Sequence, residues 1–231
     1  AGYRRTYRQL LDGWNTLHFN AIAGVNATWT GNSSATWTDA GNWESNAAPV
    51  TGGDIILAGS TNTSISGATG QTGAILFAPG AGAFSISGSG LTLGGDVSNN
   101  STNTQTINTN LALNASRTIS ANTGNLVLGG EIVLSTNGAL ANSLTFHSAA
   151  NQTISATGAI SNGVSTAAQG GGIFKTGDGT LSLTGDNSSF TGAVSILGGV
   201  LEANSSNALG NGTIATNTLA FDNGTLRATG D

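Results

Sequence analysis

The carboxylates are the side chains of this sequence that could do chemistry, and their spacing decides which chemistry is open to them. Hydrolysis or elimination on a polysaccharide needs clustered carboxylates, or an acid beside Arg or Lys, on one face. The 11 acidic residues are instead scattered singly along 231 residues. Glu202 and Asp222 are twenty residues apart, so stacked coils could align them. We expect both to be solvated, and we predict no catalytic residue.

The sequence contains no recognisable pattern of metal ligands. His18 and His147 stand alone and there is no Cys, so no zinc site is predicted. The run Gly170–Gly172 continues into Ile-Phe-Lys and does not complete the Gly-Gly-x-Gly-x-Asp pattern that binds calcium. Gly177–Gly179 is more simply a turn, with calcium at an Asp corner as the less favoured alternative. We therefore predict no cofactor and no metal site.

Three tryptophans close to one another could bind a sugar. Trp29, Trp37 and Trp43 are spaced so that their rings could form a stacking platform for a cell-surface glycan. Aromatic residues also cap the open end of repetitive β folds and bury the first coil. We favour the cap and keep the glycan platform as the alternative.

The composition excludes several classes of protein. A net charge of −5 argues against a nucleic-acid partner. Only 7% of residues are charged, yet 38% are hydrophobic and recur at short intervals, which favours ordered repetition over disorder. A chain without Cys and poor in Lys suits bacterial export. No stretch reaches the length of a transmembrane helix, and any signal peptide is expected to have been removed.

The elements that would position these residues fall into three regions. Residues 1–25 predict a basic amphipathic helix over about Arg4–His18, because apolar residues recur there at steps of three and four. Residues 26–60 form a Trp-rich opening module that caps the fold. Residues 61–231 alternate apolar with small or polar residues in short strands such as Leu126–Leu128 and Leu144–Phe146.

Internal repetition determines the predicted architecture. The phrase Gly179–Gly185 returns as Gly224–Gly230 and at Gly199–Ala203, and more loosely at Gly90–Gly94. Copies lie roughly 15 to 25 residues apart, the period of solenoids, in which each coil buries its apolar face only against its neighbours. We predict an all-β, right-handed parallel β-solenoid of about nine coils. At ~4.8 Å per strand this is a rod about 45 Å long, in which Asn and Thr ladders replace surface charge.

A longer stretch carries a family resemblance. Gly172–Asn187 reads Gly-Ile-Phe-Lys-Thr-Gly-Asp-Gly-Thr-Leu-Ser-Leu-Thr-Gly-Asp-Asn, and it continues through Phe190–Gly192 to Gly198–Leu201. It resembles the autotransporter-associated β-strand repeat, also called the passenger-associated transport repeat. The Trp block is similar to the opening module of large secreted proteins built from that repeat. The resemblance implies export to the bacterial cell surface and a β-helical fold, with structural, adhesive or secretion-assisting roles and no catalytic residues.

Two functions follow as hypotheses. The first is a structural subunit of an extracellular fibre, sheath or surface layer, which associates with itself head to tail. Its N-terminal segment would cover the open, acidic end of another copy, although that segment could instead fold back on its own first coil. The candidate contact residues are Tyr3, Arg4, Arg5, Tyr7, Arg8, Leu10, Trp14, Leu17, Asp222, Leu226 and Asp231. The second hypothesis is an adhesin or glycan-binding surface protein.

Overall fold

A computed structural model describes residues 10–11, 17–18, 25–136, 142–163 and 171–230. These residues form short strands, with a 3₁₀ turn at Ala40–Asn42. In chain order the strands are β1 (Leu10–Leu11), β2 (Leu17–His18), β3 (Ala27–Trp29), β4 (Ile55–Leu57), β5 (Ser64–Thr72), β6 (Ile75–Phe77), β7 (Ser85–Leu93), β8 (Val97–Asn99), β9 (Gln105–Ile107), β10 (Leu111–Leu113), β11 (Arg117–Ala121), β12 (Leu126–Leu128), β13 (Ile132–Val133), β14 (Leu144–Ser148), β15 (Thr153–Ala156), β16 (Ile160–Ser161), β17 (Ile173–Thr176), β18 (Thr180–Leu183), β19 (Val194–Ile196), β20 (Gly199–Ala203), β21 (Leu219–Phe221) and β22 (Gly224–Ala228).

The strands from β3 onward pair in parallel, because each coil places its strand beside the equivalent strand of the next coil. One sheet has nine strands, in the order β21-β19-β17-β14-β11-β8-β6-β4-β3. The other has eleven strands and includes β5, β7, β9, β10 and the strands that stack on them. This arrangement confirms the predicted all-β parallel β-solenoid.

The eleven-stranded sheet bends, because β7 is long enough to belong to two of its faces. The first part of β7 pairs with β9 and its last part pairs with β10. Gly88 lies at this bend, where an added Cβ would come within 1.9 Å of the backbone oxygen of Ala68. A coil therefore runs through three faces, as in the succession β8, β9 and β10, before it returns to the nine-stranded sheet at β11.

Alternate residues of each strand point into the core and stack on the equivalent residue of the next coil. One inward column of the nine-stranded sheet contains Ala27, Ile55, Ile75, Val97, Ile119, Phe146, Lys175, Ile196 and Phe221. All of them are buried except Phe221 in the last coil, and all are apolar except Lys175. Each large apolar side chain buried in this way contributes about 1.5–3 kcal/mol.

The predicted N-terminal helix is wrong at the four positions of Arg4–His18 that the structure describes. There β1 pairs antiparallel with β2. The residues between them in the sequence include Gly13, which costs a helix about 1 kcal/mol relative to Ala, and Asn15, a type that favours turns. The remaining residues of the predicted helix lie outside the described ranges.

The Trp-rich region supplies β3 and β4, the first two strands of the nine-stranded sheet. β3 pairs with β4, and β4 pairs with β6 of the following coil. Its tryptophans belong to the same buried cluster as the later coils. Among the residues that the structure describes, no helix has the length and apolar character needed to cross a membrane.

Candidate functional site

The three tryptophans of the opening region pack together at the first end of the solenoid. The ring of Trp43 meets the rings of Trp29 and Trp37 edge to face, with centroids 5.0 and 5.1 Å apart. The indole Nε1–H of Trp43 donates to the backbone oxygen of Trp37 at 2.8 Å. Their exposed fractions are 1%, 1% and 3% for Trp29, Trp43 and Trp37. A sugar-stacking platform needs an exposed ring face, and these three residues offer none in this arrangement.

A polar loop holds this aromatic cluster in place. The side-chain oxygen of the buried Asn42 accepts the backbone N–H groups of Ser33 and Ser34 at 3.0 and 2.7 Å. The Asp39 carboxylate accepts hydrogen bonds from the hydroxyls of Ser33 and Ser34 and from the N–H of Gly41, and these bonds hold the pKa of Asp39 below its ordinary value. The loop is therefore fixed by its own side chains.

The loop and the tryptophans cover strand edges at this end. Trp43 forms an antiparallel bridge with Trp29 on β3, and Thr36 forms a parallel bridge with Ser66 on β5. Backbone groups at an uncovered sheet edge are free to pair with another chain. We refer to residues 30–46 as the cap.

Buried polar side chains satisfy backbone groups where the coils turn. The Asn99 amide donates to the backbone oxygens of Asn103 and Asn125, both at 2.9 Å, and its side-chain oxygen accepts the N–H and the hydroxyl of Ser101. Gln105 donates to the backbone oxygen of Gly82 at 2.8 Å. Asn99, Ser101 and Gln105 are fully buried, so these bonds replace the water that the corner carbonyls have lost.

We expect Asn99→Ala to destabilise the protein by about 2 kcal/mol, because it removes a fully buried amide that donates to the backbone oxygens of Asn103 and Asn125 and accepts from Ser101. Urea denaturation would measure the change. The matched control is Asn122→Ala, since the Asn122 side chain is exposed and bonds only to the Asn100 side chain at 2.8 Å. The control should stay within about 0.5 kcal/mol of the original chain. Equal losses for both variants would contradict the role assigned to the buried corner.

Side-chain oxygens also link one coil to the next at half-buried and exposed corners. Asp54 accepts the backbone N–H of Ala74, and Asp96 accepts that of Thr118, both at 2.8 Å. Ladders between two side chains occur as well, as in the Asn122–Asn100 pair. The sequence analysis predicted ladders of Asn and Thr, of which the Asn122–Asn100 pair is an example, but it missed that Asp side chains accept backbone N–H groups from the next coil.

Lys175 occupies an inward position that is apolar in the neighbouring coils. It pairs with Phe146 on one side and Ile196 on the other, and its side chain is 0% exposed. Burial lowers its pKa from 10.5 to about 8, and the carboxylate of Asp178 partly opposes that shift. Sequence reasoning did not identify this residue as buried, because a lone lysine in a strand is ordinarily read as exposed.

The Lys175 ammonium group is surrounded by backbone oxygens. Its Nζ donates to the carbonyl oxygens of Thr176 and Gly177 at 2.7 Å and of Gly198 at 3.2 Å. An ammonium group has three protons to donate, so each can meet one carbonyl. The lysine thereby joins the turn after β17 to the turn after β19.

The comparison with known proteins concerns the two consecutive coils formed by β17 to β20. Residues 173–203 match the model of the passenger-associated-transport-repeat family. The match confirms the resemblance predicted from the sequence, and the repeat comprises strands β17 to β20 with Lys175 in the first of them. That family implies a secreted or cell-surface protein. No curated protein and no solved structure matches the chain.

The acids considered for catalysis are not brought together as a pair. In the stacked coils Glu202 lies opposite Arg227, not Asp222, and the two form an ion pair. Asp222 follows β21 on the nine-stranded sheet, whereas Glu202 lies on β20 of the other sheet. His147 faces Thr176 of the next coil, with Nδ1 and Oγ1 3.2 Å apart. Within the described residues no group of three or more His, Asp or Glu side chains could hold a metal ion.

The candidate contact residues fall at opposite ends of the chain. Asp222 is exposed and Leu226 is partly buried in the last coil. Leu219 and Phe221 point in the direction of the core columns, yet they are 38% and 55% exposed. Sequence reasoning did not single out these two. The N-terminal candidates and Asp231 lie outside the residues whose side chains the structure describes.

Proposed function

We propose that this chain is a non-catalytic structural protein of the bacterial cell surface, and that its copies associate head to tail in a fibre, sheath or surface layer. The observation that carries the proposal is the match of residues 173–203 to a secreted-protein repeat, within a solenoid that continues on both sides of it. A solenoid of stacked coils extends in one dimension, which suits a fibre or a spacer.

The last described coil carries apolar side chains that the proposed end-on contact would bury. Val194 and Ile196, the column neighbours of Leu219 and Phe221, are 1% and 0% exposed because a further coil covers them. The same covering of β21 would need a strand with apolar residues at alternate positions. If copies associate as proposed, a strand of another copy lies against β21, and burying a ring such as Phe221 would favour that contact by about 1.5–3 kcal/mol.

Charge complementarity supports the N-terminal segment as the covering partner. Among the described side chains, Lys175 is buried, Arg227 pairs with Glu202, and Arg117 donates to the side chain of Asn114. Exposed carboxylates therefore dominate the rod. The cluster Arg4, Arg5 and Arg8 carries the complementary charge.

The association should depend on Phe221. We expect the full chain to form ordered filaments at high concentration, visible by electron microscopy and light scattering, and Phe221→Asp to abolish them. The matched control is Ile214→Asp, because Ile214 is 44% exposed but lies in no core column. Reversing Arg4, Arg5 and Arg8 to Glu should weaken assembly as well. A chain that stays monomeric, or filaments that survive Phe221→Asp, would rule out this mode of assembly.

We also expect no hydrolase or lyase activity on polysaccharides. The stacking of Glu202 on Arg227 separates it from Asp222, and the remaining acids are dispersed, so the proposal assigns no general acid or base. Incubation with a panel of polysaccharides, followed by reducing-end and unsaturated-product assays, would measure turnover. Activity that disappears in Glu202→Gln or Asp222→Asn would overturn the proposal, and binding on a glycan array would favour an adhesin.

A further inference from the structure

The dipeptide Asn-Gly recurs in this sequence, and it has a reaction of its own. The backbone nitrogen of the glycine can attack the side-chain amide carbon of the asparagine, because glycine has no Cβ to obstruct the five-membered ring that forms. The dipeptide stands at positions 137–138, 162–163, 211–212 and 223–224. The structure describes the last three of these pairs and surrounds each of them differently.

The first of the three pairs is held between coils. Asn162 is buried, and its side-chain oxygen accepts the backbone N–H of Thr191 at 2.6 Å and the Thr191 hydroxyl at 3.1 Å. A Cβ on Gly163 would stand 2.4 Å from the backbone oxygen of Ser135 in the preceding coil. Side chain and backbone are therefore both fixed by close packing, which opposes ring closure.

The second pair is held by hydrogen bonds at both reacting groups. The amide of the half-buried Asn211 donates to the backbone oxygen of Ser188 at 3.1 Å. The backbone nitrogen of Gly212, which would make the attack, donates its proton to the side-chain oxygen of Asn217 at 2.7 Å. Ring closure at this pair must first break both bonds.

The third pair is the exposed one. Asn223 lies in the turn between β21 and β22, with its side chain in solvent and a φ of 61°. Its amide donates to the carboxylate of the adjacent Asp222 at 3.2 Å, and among the described residues it bonds to no other coil. The strand that follows it, β22, is the last of its sheet and pairs with β20 alone. Local opening is easiest at such an edge.

The packing of the last coil accounts for the presence of this dipeptide in so exposed a turn. The left-handed conformation at position 223 is one that Asn tolerates better than most residues. A Cβ on Gly224 would stand 2.2 Å from the side chain of the buried Ile196 in the preceding coil and 2.9 Å from its backbone oxygen. The turn therefore favours Asn at the first position and requires Gly at the second.

We propose that Asn223 is a site of spontaneous deamidation, and that its modification loosens β22. The backbone nitrogen of Gly224 bonds to Cγ of Asn223 and loses its proton, and the Cγ–Nδ2 bond breaks to release ammonia. Water then opens the succinimide ring. Addition at Cγ breaks the new bond to nitrogen and gives aspartate, whereas addition at the backbone carbonyl carbon breaks the original peptide bond and gives isoaspartate. The sequence of steps needs no oxidant or reductant.

Both products disturb the start of β22. Each places a second carboxylate beside Asp222, and like charges repel one another. Isoaspartate also inserts a methylene into the main chain directly before Gly224, where there is no room for even an added Cβ. β22 pairs with β20 in unbroken register from Gly224 opposite Gly199 onward, so the first pairs of this ladder would be displaced.

Peptide mapping by mass spectrometry tests the modification. The full chain would be incubated at neutral pH, at a concentration where light scattering detects no assembly. Asn223 should deamidate at least about tenfold faster than Asn162 or Asn211, because those two must first lose hydrogen bonds. In urea the three pairs should react at similar rates, since each is then the same unfolded dipeptide. Similar rates in the folded protein, or the same ranking in urea, would overturn the proposal.

Hydrogen exchange tests the loosening of β22. After incubation the exchange rates of the β22 amides should increase several-fold, while those of β18 stay unchanged. The matched control is Asn223→Gly, which keeps a residue suited to the left-handed turn and removes the reacting amide, so incubation should leave its exchange rates unaltered. Unchanged exchange of β22 in the incubated original chain, or an equal increase in Asn223→Gly, would refute the loosening. Both measurements use dispersed chains, so they do not depend on the proposed self-association.

Discussion

Replacing Gly192 with alanine is expected to destabilise the protein by more than about 3 kcal/mol. Gly192 precedes β19 within the repeat at 173–203. A Cβ at this position would stand 1.7 Å from the backbone oxygen of Gly171 in the preceding coil and 3.0 Å from a ring carbon of Phe190. Neither atom can shift at low energetic cost, because the oxygen belongs to the backbone of Gly171 and the ring of Phe190 is fully buried. The coils must therefore separate locally.

The matched control for Gly192→Ala is Gly198→Ala in the same coil. A Cβ on Gly198 would meet its nearest atom, the backbone oxygen of Gly177, at 3.4 Å, an ordinary contact. Urea and thermal denaturation of both variants would measure the difference. We expect a large loss for Gly192→Ala and less than about 1 kcal/mol for Gly198→Ala. Similar stabilities for the two variants would mean that the coils are not stacked as closely as described.

Removing the Trp43 side chain should cost about 3–5 kcal/mol, the usual range for a buried Trp→Ala change. The ring is 1% exposed, it contacts both Trp29 and Trp37, and its indole N–H donates to the backbone of Trp37. Its loss leaves a cavity and an unpaired carbonyl. We also expect Trp43→Ala to increase aggregation, because the cap would no longer protect the strand edges of β3 and β5.

Two further variants distinguish the contribution of the Trp43 ring to stability from that of its hydrogen bond. Trp43→Phe keeps an aromatic ring in the cluster and loses the donor, so its destabilisation should be smaller than that of Trp43→Ala. Glu44→Ala alters the exposed neighbour and should change stability by less than about 0.5 kcal/mol. Chemical denaturation with light scattering would follow both stability and aggregation. If Trp43→Ala were as stable as Glu44→Ala, the packing of the three tryptophans would not be what stabilises the cap.

The strands of the rod could be predicted because each carries its own period-2 pattern. Leu144–Ser148 alternates inward residues with the outward Thr145 and His147, and Leu126–Leu128 buries a leucine on each side of the half-buried Val127. The repeat at 173–203 could be recognised for a similar reason, since its glycines and leucines recur at fixed positions. These features are local, and local patterns are visible in a sequence.

Features that depend on contacts between coils were not predictable in the same way. The residues next to Lys175 in the sequence do not indicate that the backbone oxygen of Gly198, one coil later, accepts a hydrogen bond from its amine. The burial of Asn99 likewise requires the carbonyl of Asn125 from the following coil. The periodicity of the N-terminal segment fits a helix, yet β1 pairs with β2, and this shows that an apolar spacing of three and four is not by itself decisive in so short a segment.

The direction of the coil-to-coil hydrogen bonds has a mechanical consequence. Strands of a parallel sheet bond sideways to their neighbours, so in a stacked solenoid these bonds point along the rod, from β8 to β11 and on to β14. Tension applied to the two ends of the rod would load one interface between coils at a time and peel it open strand by strand. Such a rod would lengthen under load in steps of one coil. Each step would release the unfolded chain length of that coil before the next interface bears the force.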